Sequence, residues 1–105
     1  MGTRTRVLTV GTTPVIAFVS NGIRKAWRVL MFGSSDFAGN TGRVHVAKGF
    51  VPSSVLGAPD QGDFIKQTEE VAERERFPDD PTVYKGDVWV IASAASQTVL
   101  FEEED

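Results

Sequence analysis

Few side chains in this sequence have the types and the spacing that catalysis requires. His45 is the sole histidine, and a serine–histidine–aspartate triad would have to join it to Ser93 or Ser96 and to Asp87. Neither serine lies in a G-x-S-x-G turn, the motif that presents a nucleophile above a sheet. We therefore predict no catalytic residue, and we interpret residues 92–96, "ASAAS", as a tight connection between two strands.

The sequence also lacks the ligand sets that metals and phosphates prefer. Without any cysteine, a zinc site at His45 would need three or more carboxylates, so we expect His45 to be a plain surface or interface residue. Adjacent acids on a polar segment favour simple solvation over a calcium loop or a glycosidase pair. The acidic pairs are Asp79 with Asp80 and Glu69 with Glu70. We predict no metal ion, no cofactor and no enzymatic activity.

Aromatic side chains offer the best alternative to a purely structural interpretation. Trp27, Trp89 and Tyr84 could form a platform on which sugar rings stack. The two tryptophans lie in the most apolar stretches of the chain, however, which favours packing in a core or at a subunit interface. Tyr84 is less committed to packing and is the better candidate for ligand contact. Phe37 lies in a polar loop, residues 34–42, where we expect its ring to act either as a plug in the fold or as a contact residue.

Length, composition and charge limit the kind of fold that positions these side chains and the partners that the chain can bind. The chain has 105 residues, 41% of them hydrophobic and 24% charged, which is typical of one soluble globular domain. The net charge is −3 and the basic residues are scattered, so we expect no direct nucleic-acid binding. No apolar run approaches the roughly 20 residues of a membrane span, and we expect neither membrane contact nor a signal peptide.

Short β-branched and aromatic runs bounded by Gly, Pro, Asn and Ser recur along the chain, whereas helical periodicity is almost missing. Seven or eight antiparallel strands indicate an all-β fold, either a sandwich or a jelly-roll-like barrel, over a single domain 1–105. We predict strands at about Thr5–Val10, Val15–Val19, Trp27–Phe32, Arg43–Ala47, Asp63–Lys66, Thr82–Tyr84, Asp87–Ala92 and Thr98–Glu102. The last two should form a final strand pair.

The charged segment Thr68–Arg76, "TEEVAERER", breaks this pattern. Thr68 could cap a helix, and Glu70 and Arg74 stand four residues apart, yet the segment has little apolar surface to bury. We expect a short helix of one or two turns or a charged loop near residues 67–77, with an extended arm on the surface as the open alternative.

Two further regions carry expectations of their own. We interpret residues 50–81 as a partly irregular insertion or arm, and residues 102–105 as an acidic tail that leaves the last strand for water or for a basic patch on a neighbour.

Several predicted strands are apolar on both faces. Such strands normally need cover on both sides, and the chain has no helices to supply it, so a second copy of the chain is the expected cover. The alternative is that strand ends and short edges simply leave Val and Ile exposed. We predict a homo-oligomer whose interface contains Trp27, Val29, Met31, Val88 and Val90.

Three stretches together resemble the small structural proteins of tailed-bacteriophage virions. They are "TRVLTVGTTPVIAFVSNGIRKAWRVLMFG", "GRVHVAKG" and "YKGDVWVIASAASQTVLFEEED", so the resemblance covers residues 3–49 and 82–105. It rests on a succession of strands and turns, and residues 50–81 depart from it.

The resemblance implies a virion component of the capsid decoration (cement) or head-fibre type. Such a protein is made in the bacterial host cytoplasm, is β-rich and often trimeric, and binds the major capsid protein to stabilise the expanded head. Capsid contacts are then expected at charged, poorly packed positions: Arg4, Arg6, Glu70, Arg74 and Arg76. The alternative is a tail-associated or head-fibre subunit with an adaptor or host-glycan-binding role.

Overall fold

The structure is a computed structural model that describes residues 2–105. This part of the chain contains eight strands and no helix. The strands are β1 (Thr3–Val10), β2 (Val15–Phe18), β3 (Ala26–Met31), β4 (Val44–Lys48), β5 (Asp63–Ile65), β6 (Glu70–Arg74), β7 (Val88–Ala92) and β8 (Gln97–Glu104).

The strands form two four-stranded antiparallel sheets, in the orders β1-β8-β3-β6 and β2-β7-β4-β5. β1 pairs with β8, β2 with β7, β3 with β6 and β4 with β5, so the pairs are nested one inside the next. The order is that of one long hairpin wound over itself, which is the jelly-roll arrangement. The prediction of an all-β antiparallel sandwich is confirmed.

Strict alternation along the central strands builds the core between the sheets. In β8, Val99 and Phe101 point inward while Leu100 is only partly covered, because successive residues of a strand face opposite sides. Phe101 lies 6.0 Å from Phe18 and Trp27 lies 6.1 Å from Phe18, measured between ring centroids. These aromatic rings link the two sheets at the centre of the domain.

The predicted oligomer interface proves to be this core. Val29, Met31, Val88 and Val90 are fully buried within the single chain, and Trp27 is 2% exposed. Their inward faces pack against the opposite sheet, so a second copy has no access to them. The prediction of these five residues as an interface is wrong, because apolar alternation alone does not tell which layer covers a strand.

The second apolar face of β4 is covered by the chain itself. Loop 49–62, which joins β4 to β5, lies against that strand: the Gln61 carbonyl contacts His45, and Gly62 sits on the Val46 backbone so closely that a Cβ would meet the carbonyl oxygen at 2.4 Å. His45 is consequently buried, contrary to the surface position predicted for it. The expected cover by another copy is replaced here by an internal loop.

The charged segment after Gln67 contains a strand, so the loop or short helix predicted near residues 67–77 is wrong, and the extended alternative is the conformation observed. β6 pairs with β3 over five residues, and its inward side chains Val71 and Glu73 are partly buried. Thr68 has φ 67°, a left-handed conformation that does not start a helix. With β5, this strand gives residues 50–81 two regular elements. The short strand predicted at Thr82–Tyr84 is an irregular segment.

The end of the chain also differs from the prediction. β8 continues to Glu104, and Glu103 faces inward, so residues 102–105 are the end of a paired strand and not a free acidic tail. β7 and β8 lie in opposite sheets and therefore do not form the expected final pair. Residues 93–96 provide the tight connection between them, with φ 60° at Ser96.

Candidate functional site

The structure does not assemble a catalytic triad from the predicted serines and histidine. Ser93 Oγ accepts a hydrogen bond from the backbone N–H of Arg43 at 2.8 Å. Both ring nitrogens of His45 contact other groups: Nδ1 lies 3.0 Å from the Gln61 carbonyl oxygen, and Nε2 lies 3.4 Å from Arg43 Nε. Among residues 2–105, therefore, neither serine hydrogen-bonds to the imidazole.

The contacts of His45 define its protonation state. The Gln61 carbonyl can only accept, so Nδ1 carries the proton, and the Arg43 guanidinium can only donate, so Nε2 accepts. Burial lowers the pKa of His45 below 6.5 and the nearby Arg43 charge lowers it further, although the Gln61 carbonyl opposes both. His45 is a neutral residue that anchors loop 49–62 to β4.

One member of each acidic pair stabilises a turn. Asp80 is buried and accepts hydrogen bonds from the backbone N–H and hydroxyl of Thr82 and from the backbone and side chain of Arg76, and these donors hold the pKa of its carboxyl well below the usual range. Glu69 accepts from the backbone N–H of Lys66 at 2.7 Å. Within the described chain, no three His, Asp or Glu side chains are grouped to hold a metal ion.

The aromatic residues do not form a common exposed platform. Trp27 is buried and donates its indole N–H to Glu73 Oε1 at 2.7 Å. Tyr84 is partly buried, and its hydroxyl oxygen lies close to two glycines. A Cβ added to Gly49 would be 2.6 Å from that oxygen, and one added to Gly86 would be 2.3 Å from it. Phe37 packs on Phe32 with ring centroids 5.1 Å apart.

A buried ion pair, absent from the predicted sites, closes one end of the sandwich. Arg24 is fully buried, and its Nε donates to Glu103 Oε2 at 2.7 Å. Its remaining donors bind the carbonyls of Tyr84, Gly86 and Val19. Burial would raise the pKa of Glu103, but the hydrogen bonds and charges of Arg4 and Arg24 lower it overall. A charge at an inward position of β8 was the signal in the sequence.

Glu73 makes a second carboxylate centre, partly buried and also at an inward position. Its Oε1 accepts from the Trp27 indole and from the Tyr84 backbone N–H at 2.8 Å, while Oε2 pairs with Lys48 Nζ at 2.7 Å. Burial alone would raise the pKa of Glu73, but Lys48 and the two N–H donors outweigh it and lower the pKa. This residue ties β6, β3 and the end of β4 together.

The residues predicted to contact a capsid lie on two opposite edges of one sheet. Arg4 and Arg6 lie on β1, whereas Glu70 and Arg74 lie on β6 and Arg76 follows it. Each has a partner within the chain. Arg4 pairs with Glu103 and Asp105, Arg6 donates to the Ala17 carbonyl, Glu70 pairs with Arg28, Arg74 with Glu104, and Arg76 with Asp80.

The outer face of the sheet β1-β8-β3-β6 contains a polar depression of about 230 Å³. Its floor is formed by small residues, Ala26 and Ala72, and its charged rim includes Arg28. Arg28 Nε lies 3.3 Å from Glu102 Oε1 at an angle that makes no hydrogen bond. The depression is shallow, and its charges neutralise one another in cross-strand pairs.

Loop 49–62 carries one group of exposed apolar side chains, and a second group lies on β1 and β2. Phe50, Val51, Val55 and Leu56 are 43%, 48%, 64% and 52% exposed. The loop is nevertheless well braced, because the Ser53 N–H bonds to the Asp60 carbonyl at 2.8 Å and the Gly57 N–H bonds to Gln61 Oε1 at 2.6 Å. An ordered loop that presents several large apolar residues to solvent is typical of a docking surface.

Comparison with known proteins supports the fold only. No protein-family model and no curated protein matches the chain in sequence. A solved chain from Bacillus, described under "endospore appendages form a novel family of disulfide-linked pili", superposes with a TM-score of 0.55 at 14% identity. The match covers 97% of this chain and 80% of that one. At this identity, the likeness shows that the two chains share a β-sandwich architecture.

Proposed function

We propose that the chain is a structural subunit of a bacteriophage virion, most specifically a capsid decoration protein that binds the major capsid protein on the surface of the expanded head. The observation that carries the proposal is the braced, apolar surface of loop 49–62 on a compact jelly roll. The resemblance of residues 3–49 and 82–105 to small virion proteins supports this choice of partner class. The pilus neighbour is likewise a structural surface protein.

The capsid-facing side is the side of the sandwich that carries β5 and β6. Loop 49–62 leads directly into β5, and the exposed Arg74 and Arg76 side chains lie on or just after β6. The apolar residues of the loop would supply buried area, and the two arginines would supply charge at its rim. Arg4 and Arg6 lie on the opposite edge and are less suited to the same contact.

Self-association is part of the proposal, and a trimer is the state that the resemblance implies. The disulfide linkage named for the appendage protein is not open to these 105 residues, because they contain no cysteine. Contacts between copies through these residues therefore involve no disulfide bond.

Binding to purified phage heads tests the proposal. The protein should bind expanded shells and not unexpanded precursors, and Val55→Asp should abolish that binding without changing the free energy of unfolding. Val19→Asp is the matched control, because Val19 is 68% exposed on the opposite side and should bind as the parent does. Equal binding to both shell forms, or to neither, would contradict the decoration role.

A further inference from the structure

Strand β1 is an exposed edge of unusual completeness. It pairs with β8 along eight residues without a bulge, and every residue except Val10 is exposed. Within residues 2–105 no strand lies beyond it, because the sheet begins at β1. A long, flat and uncovered edge is a template for pairing with another strand.

The direction of the free backbone groups can be deduced from the register. Gly2 and Asp105 exchange both backbone hydrogen bonds, at 3.4 and 3.1 Å. Because antiparallel pairs alternate, Arg4, Arg6 and Leu8 also direct their backbone groups to β8. At the other end, Thr98 bonds to the Asn40 side chain and not to Thr9, as this alternation requires. The N–H and C=O groups of Thr3, Thr5, Val7 and Thr9 therefore face the free edge.

β1 has no proline and no bulge to protect its edge, and its two charged residues do not face the free edge. Those four edge-facing residues are uncharged and β-branched, which suits strand pairing. The two arginines of β1 fold back over their own domain, where Arg4 is held by Glu103 and Asp105 and Arg6 lies 5.7 Å from the Phe101 ring centroid. Val7 and Leu8 remain 51% and 41% exposed.

From this geometry we propose that β1 is the self-association surface, pairing antiparallel with β1 of a second copy about a two-fold axis at Val7. In this register Val7 lies opposite Val7 of the partner copy, and Thr5 lies opposite Thr9. The two sheets then join into one continuous eight-stranded sheet. The inference does not depend on the phage assignment, and it gives a two-fold pair in place of the threefold arrangement that the resemblance implies.

Hydrogen-bond direction, charge and the length of strand that is paired together select this register. Centring the axis on Leu8 would satisfy the first two conditions but would pair only residues 6–10 of β1, whereas centring it on Val7 pairs residues 4–10. Shifting the pairing by one residue would place edge-facing Thr5 opposite Leu8, whose backbone groups point away to β8, so the ladder could not form. Centring the axis on Arg6 restores the hydrogen bonds but places two guanidinium groups directly opposite each other, which is unfavourable. Centring it on Val7 instead covers the Leu8 side chain with the stem of the partner copy's arginine and opposes no like charges.

Single-cysteine variants test the register directly, because the chain has no native cysteine. Directly opposed residues in a hydrogen-bonded pair have Cα atoms about 5.5 Å apart, within the range of a disulfide. Val7→Cys should form a cross-linked dimer under mild oxidation. Thr5→Cys and Thr9→Cys should cross-link several-fold better when mixed than either does alone. The matched control is Ala72→Cys, which is exposed on the opposite edge strand β6 and should stay largely monomeric.

Solution mass measured over a wide concentration range completes the test. We expect a dimer that Val7→Lys dissociates and Val7→Thr retains. Unfolding of the monomer should be unchanged in both variants, because the Val7 side chain is 51% exposed and lies outside the core. A monomer at every concentration, a trimer, or an association that survives Val7→Lys would overturn the proposal. So would cross-linking of Val7→Cys no greater than that of Ala72→Cys.

Discussion

Arg24 shows how a single buried charge can fix one end of this sandwich. Its guanidinium bonds to Glu103 and to three backbone carbonyls, one from nearby Val19 and two from residues 84–86. The attraction within this ion pair does not translate directly into stability, since burying two charges is itself unfavourable. The partners of Arg24 are nevertheless arranged around it, and removing it leaves a carboxylate and three carbonyls without their donor.

We expect Arg24→Met to lower the free energy of unfolding by about 3–5 kcal/mol, the range found when one partner of a buried ion pair is removed. Denaturant unfolding at neutral pH measures the change. Arg74→Met is the control, because the Arg74 side chain is 66% exposed and its pair with Glu104 should contribute about 0.5 kcal/mol. Similar losses in the two variants would show that Arg24 is not a structural centre.

His45 should give the domain a pH dependence above the range in which carboxylates titrate. The folded-state pKa lies below the unfolded value of 6.5, so the unfolded chain binds the proton first as the pH falls. The contribution of neutral His45 is therefore complete above about pH 6.5 and is lost below it, with a slope of at most about 1.4 kcal/mol per pH unit.

His45→Asn should remove this slope, because the asparagine amide can still donate to the Gln61 carbonyl but does not titrate. Unfolding free energies of the parent and the variant, measured between about pH 7 and pH 5, should converge as the pH falls. Parallel curves would mean that His45 is protonated equally in both states.

Some of these residues could be identified from the sequence and others could not. Glu103 continues the alternation of Val99 and Phe101 beyond the predicted end of the last strand, so extending that strand by two residues would have predicted a buried partner for its carboxylate. Glu73 lies on β6, which was not predicted as a strand, so its inward position could not be identified. The identity of a carboxylate's partner is fixed by contacts between residues far apart in the chain, as in Arg24 with Glu103. Spacing carries no information about such contacts.

At the scale of elements, seven of the eight strands lie near their predicted positions, because alternation and turn residues define them locally. β6 was missed because its local signals, a capping threonine and a glutamate–arginine pair four residues apart, favour a helix. Its strand conformation comes from the free edge of β3, which offers a hydrogen-bonding partner, and from cross-strand charge pairs such as Arg74 with Glu104.

Loop 49–62 depends on a close backbone approach that only glycine allows. A side chain at Gly62 would clash with the Val46 carbonyl and would also have to adopt φ 66°. We expect Gly62→Ala to lower the unfolding free energy clearly more than Gly57→Ala. Gly57 has φ 90° but open space around it, so alanine there carries only the conformational term of about 1–2 kcal/mol.

Chemical denaturation of the two glycine variants separates the cost of the steric clash at Gly62 from the cost of placing alanine at positive φ. Binding of a dye for apolar surface should rise in Gly62→Ala alone, because the loop would no longer lie flat on β4. Equal losses of stability and equal dye binding in the two variants would mean that the loop does not rest on β4 as described.

At the scale of the whole molecule, the nested strand order makes the two sheets one folding unit. Every connection except that between β4 and β5 passes from one sheet to the other, so neither sheet is a contiguous stretch of chain. The sequence predicts strands but not this order, because β1 meets β8 across almost the full length of the chain. The shared core around Phe18, Trp27 and Phe101 favours the wound arrangement.

The two tryptophans allow this cooperativity to be measured, since Trp27 lies on β3 and Trp89 on β7 of the opposite sheet. Trp89→Phe leaves a reporter in the first sheet, and Trp27→Phe leaves one in the second. In each variant the fluorescence midpoint should coincide with the midpoint of the circular dichroism transition, as two-state unfolding requires. Trp27→Phe should unfold at lower denaturant than Trp89→Phe, because it loses the indole hydrogen bond to Glu73. If Trp89 fluorescence changed before the circular dichroism signal, the sheet β2-β7-β4-β5 would open independently, and the domain would not be the single unit that its strand order implies.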